Sequence, residues 1–138
     1  MGRGYRDRPH RPGGLSERAT RWALAATDEA GYPPRRFGQA DVVRHPRVDG
    51  IAQVLRLAAL HSAQETLAAR RLLRTLLSHQ VDAVEEPRAH GGFPFGAGTA
   101  GEPLPHANVW VTTSAVQALV LAAGDRRGRE ALDWRHLV

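Results

Sequence analysis

Two groups of side chains in this sequence could do chemistry. His45, Arg47 and Asp49 fall within five residues, just ahead of an apolar run. His90, His106, Asn108 and Trp110 flank a long Gly/Pro-rich stretch that also contains Phe93 and Phe95. Imidazole and carboxylate can pass a proton near neutral pH, and a guanidinium can hold an anion. The three aromatics could wall a pocket around such groups. Each residue also has a plainer role. Asp49 can cap a helix or complement its dipole, the histidines suit exposed loops, and the aromatics could anchor a long loop.

Other chemistries find no support in the spacing. His45 with Asp49, and His90 with His106, match no metal signature such as two histidines four apart on a helix. There is no cysteine, which excludes a thiolate zinc site and a disulfide framework. No metal and no cofactor is expected. The run Gly91 to Gly98 lacks the Lys-Ser/Thr ending of a phosphate loop. Ser62, Ser78 and Ser114 lack the flanks of a nucleophile elbow, and Ser114 reads as a small residue that lets helices approach.

These side chains must be positioned by helices. Leu15 to about Thr27 can form a first helix with Ser16 as its N-cap. The second runs from about Val48 to His61 and is apolar almost all round, with Gln53 and Arg56 as its polar exceptions. Ser62 and Glu65 have capping-box spacing, so a third helix is expected from there to about Gln80. It is amphipathic, with a leucine stripe (Leu67, Leu72, Leu73, Leu76, Leu77) and a face of Arg70, Arg71 and Arg74 that reads as solvated. A loop from Val81 to Ala107 leads to a fourth helix, about Asn108 to Ala123. That helix carries no charge, and Gly124 is placed to stop it. One more short helix containing Trp134 is expected after Asp125.

The two apolar helices resemble each other. Gln53 to Ala59 and Gln117 to Ala123 agree at five of seven positions, at an offset of 64. Gly31-Tyr32-Pro33 and Gly92-Phe93-Pro94 precede them at an offset of 61. Repetition on this scale implies stacked helical hairpins sharing a core. Alternation of amphipathic and all-apolar helices suggests two rings, apolar helices inside. Gln53 and Gln117 then need partners for buried amides.

The strings Gly91-Gly92-Phe93-Pro94-Phe95-Gly96, Pro105 to Thr113 and Ala115 to Leu119 resemble the terpenoid cyclase/protein prenyltransferase superfamily of α/α toroids. The likeness spans roughly residues 15–123. It implies an all-α fold, a partial α/α toroid of about four helices in two inner/outer hairpin repeats. It also implies that His45, Arg47, Asp49, His90, Phe93, Phe95, His106, Asn108 and Trp110 gather at one cavity mouth. The family's chemistry is not implied. Val109 to Thr112 holds no carboxylate where the cyclases carry their acid, and no cysteine is present to complete the transferase zinc site. The family's barrels need more hairpins than these two. The chain is therefore expected to be a fragment of a longer toroid, or to associate.

Charge adds one feature. The net charge is +5, of which residues 1–14 supply +3 through Arg3, Arg6, Arg8 and Arg11 against Asp7. This segment reads as a disordered tail ahead of a helical domain over 15–138, whose charge is nearly balanced. The tail could touch nucleic acid weakly and without sequence preference, though such a partner is not expected. It has no apolar leader, and the longest apolar helix, at about 16 residues, falls short of a bilayer span. Cytoplasmic location is the expectation. The leading functional expectation is a toroid domain acting through its cavity or as an assembly surface, with a small-molecule or glycan ligand. The alternative is an enzyme acting on a carbohydrate or isoprenoid, which needs a carboxylate pair or a His/Tyr/Arg set in that cavity.

Overall fold

The computed structural model describes residues 14–34, 36–37, 42–43, 46–98, 102, 104 and 106–124. The expected tail (apart from Gly14), His45 and the expected helix around Trp134 lie outside these residues. Four helices occur among them: α1 (Leu15–Ala26), α2 (Val48–Leu60), α3 (Leu67–Ser78) and α4 (Val109–Ala122). Apart from one small ladder the architecture is all-helical. In the α1–α2 connection β1 (Arg36–Phe37) pairs antiparallel with β2 (Val42–Val43), Arg36 opposite Val43. Apolar periodicity gave no sign of this ladder.

The helix ends show what local sequence does and does not dictate. α1 begins one residue before the expected cap, and no side chain caps it. Ser16 instead lies 2.8 Å from His61 Nε2, beyond the end of α2. The expected capping box at Ser62 does not form. Ser62 has φ +56°, whereas an N-cap needs extended backbone. Ser62 N–H donates to the Ala59 carbonyl (3.3 Å) and Ala63 N–H to that of Ala58 (2.7 Å). This is a Schellman turn, which closes α2. The cap of α3 is Thr66, whose hydroxyl accepts from Ala69 N–H at 3.2 Å. Glu65 pairs with Arg70 at 2.9 Å. At α4 the reading holds. Asn108 Oδ1 accepts from Val111 N–H at 3.1 Å, and Gly124 stops the helix at φ +74°.

α2 is the hub. It packs on α1, α3 and α4, while α1 and α3 also touch each other on one side of it. Val48, Ile51, Ala52, Leu55 and Ala58 are buried, and they join Leu72, Leu76, Phe93, Val111, Ala115 and Ala118 in one core. Each such Leu, Ile or Phe contributes about 1.5–3 kcal/mol of burial. The short 61–66 link makes α2 and α3 a helical hairpin. α4 lies beside α2 in another way. Gln53 meets Ser114 and Arg56 meets Gln117, both at an offset of 61. Two contacts ascending together mean that α2 and α4 run parallel.

Burial follows the two-ring expectation in α2 and departs from it in α4. Six of 13 residues are buried in α2, four of 12 in α3 and five of 14 in α4. α4 is thus only slightly better enclosed than the amphipathic helix. It leaves Val109 83 %, Trp110 71 % and Val116 50 % exposed. Its apolar surface runs all round, but among the described residues helix neighbours cover one side only.

Candidate functional site

The loop from Gly92 to Ala97 positions most of the residues singled out above, because it ties two helix starts together. Phe93 N–H donates to Thr112 Oγ1 (3.0 Å), and the Phe93 carbonyl accepts from Asn108 N–H (2.8 Å). The Phe95 carbonyl accepts from Val48 N–H (3.1 Å), satisfying the first free donor of α2. Gly96 bridges to Arg47 so closely that a Cβ would collide with the Pro46 carbonyl. Phe93 sits 1 % exposed in the core. The expectation that it walls a cavity is corrected, because the loop turns its ring inward between the two helix starts.

Arg47 and Asp49 occupy each other. Arg47 Nε donates to Oδ1 at 2.9 Å and Nη2 to Oδ2 at 2.5 Å, a two-pronged pair. The same guanidinium stacks 4.1 Å from the centroid of Phe95. Arg47 is thus matched by Asp49 in charge and by Phe95 in contact. The cluster clamps the start of α2 and leaves no free acid there. Asp49 lies in the first turn, where a carboxylate favours the helix dipole.

The remaining residues are shared among three adjoining clefts, two of which share Val109 and Thr113. His90 and Asn108 line one of 360 Å³ with Gly92 and Thr112. His90 is exposed; its Nδ1 accepts from Ala83 N–H at 3.3 Å and lies 3.7 Å from Asp82. Asn108 spends its side-chain oxygen on the α4 cap. His106 lines a cleft of 290 Å³ together with His79. Burial holds His79 below its ordinary pKa of 6.5, and the hydroxyl of Tyr32 lies 3.4 Å from its Nε2.

Trp110 belongs to the third and largest cleft, 570 Å³ between α2 and α4. Gln53, Arg56, Thr113, Ser114 and Gln117 line it with Trp110. Arg56 Nη1 donates to Gln117 Oε1 at 2.9 Å, and Gln53 Nε2 reaches Ser114 Oγ at 3.5 Å. Arg56 Nε is buried and has no acceptor. Among the described residues no carboxylate lines this cleft. Sequence reasoning picked out Gln53 and Gln117 as amides needing partners and noted Arg56 as a polar exception on α2, but gave it no role. The available signal was the i, i+3 spacing of Gln53–Arg56 and Ser114–Gln117 on two otherwise apolar helices.

Among the described residues no three His, Asp or Glu side chains gather where a metal ion could be held. No described helix is long and apolar enough to cross a membrane. Searches of family models, curated proteins and solved structures found no match to this chain.

Proposed function

We propose that this chain is a helical-hairpin unit of the α/α toroid type, related in architecture to the terpenoid cyclase/prenyltransferase superfamily, and that it acts by assembly. A second copy of the chain is its partner when it is made alone. One observation carries this reading. The helix starts of α2 and α4, and the loops before them, correspond at an offset of 61. At that offset the buried stripe Val48, Ile51, Leu55 of α2 maps onto Val109, Thr112, Val116 of α4. Val109 and Val116 are exposed. Two of the three positions that α2 fills with core are open on α4, while the third, Thr112, is half-buried with its hydroxyl on Phe93 N–H. Exposed apolar side chains of this kind mark an interface.

Cyclase and zinc-transferase chemistry do not enter this proposal, because the residues they need are missing from the matching stretch. A glycoside-acting role needs two carboxylates in one cavity. Asp49 is held by Arg47, and none of the three clefts carries an acid. Sedimentation velocity at micromolar concentration tests the assembly. A dimer or larger species is expected. A monomer that binds no apolar dye would defeat the proposal.

A further inference from the structure

We propose that the cleft between α2 and α4 binds a small organic carboxylate with a flat apolar body. Among the described residues the charge of the cleft is uncompensated. Arg56 is its one charged residue and has no acid partner among the described residues. Gln117 satisfies Nη1, but the buried Nε–H is left without an acceptor. A charged donor buried and unpaired is costly, and an incoming carboxylate oxygen removes that cost with a charge-assisted hydrogen bond. Ser114 and Gln53, one turn back along the paired helices, supply further polar contacts. A single guanidinium matches one negative charge, which favours a monocarboxylate over a polyanion such as a diphosphate.

The apolar end is set by Trp110. Its indole is 71 % exposed at the rim of the cleft, and a flat ring laid against it would bury both faces. The 570 Å³ volume lies within the roughly 300–1,000 Å³ usual for small-molecule sites. Val109 lines this cleft and also belongs to the stripe proposed above to meet a second copy, whereas Val116 lies outside the lining.

Calorimetric titration with 2-naphthoate, against its neutral isostere 2-naphthamide, tests the proposal on the unmodified chain. The acid is expected to saturate the protein and to bind about tenfold or more tighter than the amide. Arg56→Gln should remove that preference and Arg56→Lys retain part of it, while Trp110→Ala weakens both ligands. Equal affinity for acid and amide, or no saturable binding of the acid, overturns the proposal. The acid–amide comparison needs no variant, so it decides the matter even if Arg56→Gln does not fold. Because Val109 belongs to both the cleft and the proposed interface, the titration is repeated below the concentration at which the protein associates, so that a partner covering the cleft is told apart from a cleft that does not prefer the acid.

Discussion

His79 shows how one half-buried side chain makes stability depend on pH. It follows the last turn of α3, and its ring meets Tyr32 edge-on with centroids 6.1 Å apart. Burial disfavours its charged form, so the folded pKa lies below 6.5. The unfolded chain then takes up this proton at a higher pH than the folded one. The contribution of His79 to stability is therefore complete above 6.5. It is lost as pH falls through the lowered folded value. Urea midpoints should drop between about pH 7.5 and pH 5.5, and less steeply in His79→Gln. An unchanged slope in the variant would assign the dependence to other histidines. Arg47 and Asp49 offer the contrast. They looked equally reactive in sequence, and the two-pronged pair turns them into a brace.

At the scale of the elements, the α2–α3 junction yields two opposed predictions. Ser62 holds a left-handed conformation that costs an L-residue about 1–2 kcal/mol, so Ser62→Gly should stabilise the protein by about 1 kcal/mol. Thr66→Ala removes a true cap and should cost about 1 kcal/mol. If the Ser62 substitution destabilises instead, the capping box is the better description of the junction. Denaturant unfolding of the two variants reads both effects. All four helices were legible because apolar periodicity is a local signal. Ser62 was misread because a serine three before a glutamate fits either a helix start or the turn closing the previous helix. Only the backbone angle separates the two. Phe93, Phe95 and Trp110 were grouped because composition treats them alike. Their fates, core, clamp and exposed rim, depend on which helix starts the loop bridges, and that is a long-range fact. Arg56 stood out only as a polar exception on an apolar helix, for the same reason. Its significance comes from facing Gln117 across 61 residues of chain.

Among the described residues the chain is organised around one helix covered on several sides and a parallel neighbour that helices cover on one. α2 carries the core, and α4 completes it with Val111, Ala115 and Ala118 while turning Val109 and Val116 outward. An exposed valine forgoes about 1.5 kcal/mol or more of burial, so a partner that covers Val109 and the half-exposed Val116 gains up to two such terms against the cost of association. The stripe can be tested by charge. Val109→Glu with Val116→Glu places two carboxylates on the outward side, the first at the helix N-terminus, where the dipole tolerates it. If a second copy covers the stripe, the variant should sediment as a monomer, and unfolding extrapolated to low protein concentration should shift by no more than about 0.5 kcal/mol. A loss of several kcal/mol with the oligomeric state unchanged would place the stripe inside the folded chain, and the assembly reading would fall.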